Sequence, residues 1–302
     1  MVTGDSPAIS KILHLTGHNS YSPCRFCTIK GTPFQKKYKV KDRDVERLKT
    51  TYYYPLTHPT DVPAEHRISE AHHTYDPLNL PRRTNTGFIA DATDAENDDT
   101  GRVAKDTGIK SRSILCRIPS IRFPYSFPID VMHLIYLRLT RDLVALLNGS
   151  YFESGASKMR NCEPAYCLQE KVWRKIGKEM GSARIPTGYG RQTRNIDKYM
   201  KSFKSEECAT FLHNLSLHLL RNRVSNDVYS MFMKLVLGIS LAINYVILDT
   251  DEIRLLLKDF VLDFYRIFYR QEYKMLRVCK YTIHSVLHIA DCLDWWGSAA
   301  NF

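Results

Sequence analysis

Two pairs of ligand-type side chains stand near opposite ends of this sequence. They are Cys24 and Cys27 in Cys24-Arg25-Phe26-Cys27, and His284 and His288 in His284-Ser285-Val286-Leu287-His288. Two thiols two residues apart on a turn can bite one metal ion, and zinc is the usual occupant. The same pair can also be a redox couple, or two buried thiols that bind nothing. Histidines at i and i+4 lie on one face of a helix, so both imidazoles can reach one ion. A lone pair of that kind more often comprises one core and one surface histidine. Together the four residues complete a tetrahedral Cys2His2 set. A site built from them ties the two ends of the chain together.

The rest of the sequence must supply a fold around that tie. The chain has 302 residues, enough for one large domain or two ordinary ones. Hydrophobic residues make up 44% and charged residues 25%, which excludes a disordered tail, a collagen and a coiled-coil rod. Eight cysteines are too sparse for a disulfide-stapled scaffold, and the opening MVTGDSPAISKILHL is a poor signal peptide. The cysteines are therefore expected to be reduced thiols or metal ligands. The most apolar run, Leu235 to Leu248, has 14 residues where a membrane span needs about 20, so it reads as a buried helix and no membrane partner is expected.

Apolar spacing of three and four residues predicts a mainly helical chain. Helices are expected over Ser6 to Leu15, Ile129 to Leu147, Pro164 to Met180, Glu206 to Leu220, Asp227 to Leu248, Asp251 to Phe268 and Ile283 to Leu293. A basic helical patch is expected near Lys36 to Lys49. The polar stretch from Pro77 to Gly108 is expected to hold at most one helix and to pack weakly. Ser113 to Arg117 is the clearest short strand, and a minor sheet is expected near residues 1–5 and 113–118. No repeat occurs at a period of 20 to 50 residues.

Two further groups carry potential chemistry. Asp130 and His133 sit three residues apart at the start of a predicted helix, where the aspartate can stabilise the helix dipole or hydrogen-bond the histidine. A hydrolase built on this pair lacks a nucleophile nearby in sequence and ranks last. Asp5 precedes the first helix. It is either an N-cap or a magnesium ligand, because Mg²⁺ favours one or two carboxylates together with substrate phosphates.

Three blocks occur in this order: GDSPAISKILHLTGHNSYSPCRFC, SFPIDVMHLIY and TIHSVLHIADCLDWWG. Together they resemble the transposases of CACTA (En/Spm, Tnp2-like) DNA transposons, especially the fungal forms, from Gly4 to Gly297. The resemblance implies an incomplete RNase H-like, integrase-type α/β core interrupted by a large helical insertion, so the fold class is mixed and predominantly α. It implies residues 1–35 as a partial core with the Cys-x-x-Cys, 36–112 as an irregular connection, 113–282 as the mainly helical insertion, and 283–302 as a truncated final helix with the histidine pair. Asp5 matches the family's second catalytic aspartate, Cys24, Cys27, His284 and His288 match a structural zinc set, and Asp130 and His133 match the motif opening the insertion.

The first and third acids of the family's DDE/D site have no counterpart in these residues. The resemblance thus implies a transposase fragment that binds DNA without cutting it alone. Intact members use Mg²⁺ in a two-metal reaction, and one acid holds that ion weakly. The family context implies a nuclear protein and a possible homo-oligomer. The net charge of +11 suits an acidic partner, with Lys36, Lys37, Lys39, Lys41, Arg184, Arg191 and Arg194 as candidate DNA contacts. The alternative is a zinc-stabilised helical interaction module, a domesticated or decayed relic without a nucleic-acid role.

Overall fold

The computed structural model describes residues 1–39, 46–66, 73–152, 166–186, 188–189, 191–246 and 249–301. Among them the protein is predominantly helical, with one two-stranded sheet. Two compact units form. One comprises Met1–Asp130 and Phe268–Gly297, and the other comprises Val131–Ile267 and Ser298–Asn301. In sequence, Val131–Ile267 is nested between the two segments of the first unit.

The first unit begins with α1 (Ser6–Ile12), which Asp5 caps by accepting a hydrogen bond from the Ala8 backbone N–H at 2.7 Å. Pro7 sits in the first turn, where its missing N–H costs nothing. Strands β1 (Thr32–Lys39) and β2 (Glu46–Tyr53) pair antiparallel. Where a helix is expected near Lys36 to Lys49, residues 36–39 and 46–49 are strand instead, and 40–45 lie outside the described residues. The base of this ribbon is rich in β-forming residues, and Phe34 stacks on Tyr273 with ring centroids 5.0 Å apart. The Tyr273 hydroxyl also accepts a hydrogen bond from the Gln35 N–H.

Two helices follow, α2 (Asn85–Glu96) and α3 (Arg102–Thr107). The expectation of one helix and weak packing between Pro77 and Gly108 is overturned here. Phe88 and Ala92 join Ile9, Leu13, Leu15, Ile109, Phe123 and Phe127 in a common core. Phe88 stacks on Phe123 at 4.6 Å and Phe123 on Phe127 at 5.5 Å. Two apolar residues one helical turn apart carry this packing, and the surrounding acidic text hides them. Ser113 to Arg117 is also corrected. Ile114–Arg117 is a 3-10 turn, because the Ser113 hydroxyl accepts from the Leu115 N–H and donates to the Ile12 carbonyl. Residues 1–5 form no strand.

The second unit opens with a π-helical stretch, Met132–Leu139, continuous with α4 (Thr140–Leu147). Then come α5 (Glu170–Ser182), α6 (Ile196–Tyr199), α7 (Ser205–Thr210), α8 (Ser216–Leu220), α9 (Asn226–Ala242) and α10 (Thr250–Phe264). Leu235 and Ile239 of α9 are buried, as are Leu257, Phe260 and Phe264 of α10. Gly238 lets the two helices approach: a Cβ there would lie 2.8 Å from Leu257 Cδ2. Helix α9 ends at Ala242 rather than Leu248, and residues 247–248 lie outside the described set. Among the described residues no helix is long and apolar enough to cross a membrane. Cys167 departs from the expected reduced state, being disulfide-bonded.

An ion pair between a buried glutamate and a surface arginine holds the start of α7. Glu207, with a side chain 1% exposed, accepts from Arg194 Nε at 2.8 Å and Nη2 at 2.7 Å, and from the Lys204 N–H at 3.0 Å. The Arg194 hydrogen bonds hold the Glu207 carboxyl below its ordinary 4.5, with burial working against them. A depressed carboxyl contributes stability that is complete above its unfolded value and is lost as pH falls through the folded one. Glu207→Gln is expected to destabilise the unit by about 1–3 kcal/mol at pH 7. Urea unfolding of both proteins at pH 7 and near pH 4 checks this, because the difference should shrink in acid.

The chain closes in the first unit with a 3-10 turn, Tyr273–Val278, then α11 (Tyr281–Val286) and α12 (Ile289–Trp296). The single final helix expected over Ile283 to Leu293 is thus two. The Leu287 N–H bonds the His284 carbonyl and the His288 N–H bonds the Ser285 carbonyl, i to i+3 contacts that tighten and interrupt the helix.

Candidate metal centre

The thiol half of the site is a turn held from below. The Phe26 N–H donates to Cys24 Sγ at 3.3 Å, which folds the chain back so that both cysteines face one side. The next residues lie against the strand-like stretch at Arg82: the Arg83 N–H bonds the Phe26 carbonyl, and the Thr28 N–H bonds the Pro81 carbonyl. The buried Arg83 side chain then fills the turn. Its Nε donates to the carbonyls of Cys24 at 3.0 Å and Cys27 at 3.2 Å, and its Nη1 pairs with Asp91 at 3.2 Å. Arg25 points elsewhere, donating to the carbonyls of Phe127 at 3.1 Å and Pro128 at 2.8 Å.

The imidazole half comes from α11 and the residue that caps α12. Despite the helix break, the Nε2 atoms of His284 and His288 lie 3.2 Å apart. Cys27 Sγ is 3.3 Å from His284 Nε2, and Cys24 Sγ is 3.5 Å from His288 Nε2. All four ligand atoms fall within 4.8 Å of one another, and all four residues are buried. A tetrahedron with zinc–sulfur bonds of about 2.3 Å and zinc–nitrogen bonds of about 2.0–2.1 Å has S···N edges of about 3.5 Å and an N···N edge of about 3.3 Å. The Cys27–His284, Cys24–His288 and His284–His288 spacings of 3.3, 3.5 and 3.2 Å come close to those edges. Four lone-pair donors around one point repel unless protons are shared between them, and a divalent cation satisfies all four at once. This set fits a metal such as zinc.

The electrostatics divide the four residues. Burial opposes the Cys24 thiolate most strongly, but the Cys27 hydrogen bond and the imidazoles of His288 and His284 outweigh it and hold the thiol well below its ordinary value. Burial, then the neighbouring Cys24, push the Cys27 thiol well above it. Burial also lowers His284. Burial acts against charged His288 too, yet Cys24 and Asp291 overcome it and push that imidazole up to about 9. Cys24 is pushed toward the thiolate and His288 toward the imidazolium, so the two compete for one proton that a bound cation would displace.

Beyond the ligands, His288 Nδ1 contacts Asp291 Oδ2 at 3.1 Å, and the other Asp291 oxygen pairs with Arg82 at 2.7 Å. A carboxylate on the remote nitrogen of a ligating histidine fixes its tautomer and raises its basicity. Among the described residues His284 Nδ1 is buried with no hydrogen-bond partner, so of the two imidazoles His288 is the one braced in this way. Asp291→Ala is expected to weaken zinc affinity by about 10- to 100-fold. Competition with a chromogenic chelator measures that change. Sequence reasoning did not assign Asp291, Arg82 or Arg83 to the centre, although an acid three residues after a candidate ligand was a readable signal.

The other sequence-predicted residues lie apart from this centre. Asp5 is a half-buried helix cap. Among the described residues, no group of three or more potential metal-ligating side chains includes it. Asp130 immediately precedes Val131, which caps the π-helical stretch, and His133 stands in its first turn. Both are half-buried. Lys36 and Lys37 are exposed on β1, Lys39 is its last residue, and Lys41 lies outside the described residues. Arg184 and Arg191 are exposed. Arg194 pairs with Glu207 and lies over the rings of Phe203 and Tyr199, with its side chain 42% exposed. No family model, curated protein or solved structure matches the chain.

Proposed function

We propose that this chain is a zinc-centred, DNA-binding protein of CACTA transposase type that does not cleave DNA on its own. The observation that carries the reading is the convergence of Cys24 and Cys27 with His284 and His288 in one buried four-residue cluster. The zinc is structural: four protein ligands leave no open position for water or substrate. It pins the loop that follows α1 to the segment that leads into α12. On this reading the unit formed by Met1–Asp130 and Phe268–Gly297 is the partial RNase H-like core. The nested Val131–Ile267 stretch is the helical insertion. Asp5 would hold the family position with no metal-ligating cluster around it among the described residues, so Mg²⁺ would find one weak ligand there. The protein acts in the nucleus.

DNA affinity follows from the charge of +11 and needs no catalytic site. The zinc-loaded protein is expected to bind duplex DNA at low salt and to release it steeply as salt rises. With Mg²⁺ or Mn²⁺ it should neither nick nor join the duplex. Filter binding across a salt series and a supercoiled-plasmid nicking assay test both statements. Metal-dependent nicking that disappears in Asp5→Ala would overturn the non-catalytic part. Absence of binding at low salt would overturn the DNA part and leave a zinc-stabilised interaction module.

A further inference from the structure

The β1–β2 ribbon sorts the basic residues of its stretch in a way that their order along the chain does not. In the antiparallel register Lys36 stands opposite Lys49, and Tyr38 opposite Arg47. Directly opposed residues share a face, and so do residues two apart on one strand. Lys36, Tyr38, Arg47 and Lys49 therefore occupy one face. Lys37 and Leu48 occupy the other, and Lys39 is registered against Glu46.

That face is built to meet something. All four residues are exposed, with Tyr38 44% accessible. Lys36, Arg47 and Lys49 form no ion pair among the described residues. Like charges placed directly across a ladder destabilise it, so the Lys36–Lys49 pair opposes the ribbon that carries it. A polyanion laid along the face turns this repulsion into attraction. The base of the ribbon is anchored: Phe34 is stacked on Tyr273, and the Tyr54 hydroxyl lies 2.9 Å from the His18 carbonyl and 2.7 Å from the Ser20 carbonyl.

We infer that the Lys36/Tyr38/Arg47/Lys49 face of the ribbon is the principal duplex-DNA contact of this protein. The inference rests on the DNA-binding reading above and gives it a location. A two-stranded ribbon fits a major groove about 12 Å wide. Three cations on one face can each take a phosphate, and a tyrosine among them can donate to phosphate or sugar. Lys37, on the opposite face, is excluded from this contact set, and Arg47 and Lys49 are added to it.

The test compares Lys36→Ala/Arg47→Ala/Lys49→Ala with a control of equal charge change on the other unit, Lys171→Ala/Lys178→Ala/Lys201→Ala. Both sets lie on exposed positions, and circular dichroism confirms that each protein is folded. Affinity for a 20-base-pair duplex is measured at several salt concentrations. The ribbon variant is expected to lose at least about tenfold at low salt. Its slope of log affinity against log salt should fall by about 2 to 3, since each lost phosphate contact removes about 0.9. The control should retain most of its affinity. A ribbon variant that binds like the unaltered protein, or a control that loses as much, overturns the location while the DNA reading stands. A ribbon variant that loses binding to phosphatidylserine vesicles but keeps DNA binding also overturns it, in favour of a membrane surface. An unaltered protein that fails to bind DNA at low salt defeats both readings together.

Discussion

Stripping zinc with a strong chelator is expected to lower the melting temperature by more than about 10 °C. Structural zinc contributes about 10–16 kcal/mol of apparent binding free energy in small zinc domains. Here the unit has its own aromatic core around Phe88, Phe123 and Phe127, so part of the fold should survive the loss. A loss of about 5 kcal/mol in a unit of this size moves the midpoint by about 2–4 °C per kcal/mol. The damage should be local. Hydrogen exchange should rise first in the turn carrying Cys24 and Cys27 and in α11 and α12, and much less in α9 and α10. Cys27→Ser should reproduce the pattern without chelator. An unchanged melting curve in both experiments would show that no metal supports the fold.

Arg83→Ala is expected to be nearly as harmful, although Arg83 touches no ligand atom. Its side chain is 2% exposed, and it holds the carbonyls of Cys24 and Cys27 together with Asp91. It also donates to the Thr107 carbonyl, which ties the turn to the end of α3. Removal leaves three carbonyls and the partly exposed Asp91 carboxylate without this donor, and at about 1–3 kcal/mol for each buried group left unsatisfied the loss is about 3–5 kcal/mol. Arg83→Lys should not rescue it, because an ammonium cannot reproduce the forked donor geometry. Denaturant unfolding of the zinc-loaded variants decides this. Lysine matching arginine would reduce the role of Arg83 to its charge.

The centre was legible in the sequence because ligand chemistry is local: a Cys-x-x-Cys and a His-x-x-x-His each advertise a half-site. Their meeting was legible only as a completed ligand set. The brace around them was not. Arg83 reads as an ordinary surface cation, and Asp291 as a polar residue on a helix, until folding buries both. Helices with long apolar stripes, such as Asp251 to Phe268, were readable, since one face repeats over several turns. Short elements failed where neighbours decided the outcome. Thr32–Lys39 and Glu46–Tyr53 pair as a ribbon whose Phe34 packs on Tyr273, some 240 residues later in the chain. Ser113 to Arg117 is a turn because Ser113 bonds the Ile12 carbonyl. Neither partner lies within the windows from which periodicity is read.

The most direct test of the zinc centre is X-ray absorption at the zinc edge on the purified, stoichiometrically loaded protein. The account predicts one zinc per chain with two sulfurs at about 2.3 Å and two imidazole nitrogens at about 2.0–2.1 Å. A first shell of oxygen and nitrogen alone, or a protein that retains no stoichiometric zinc after gel filtration, would contradict it.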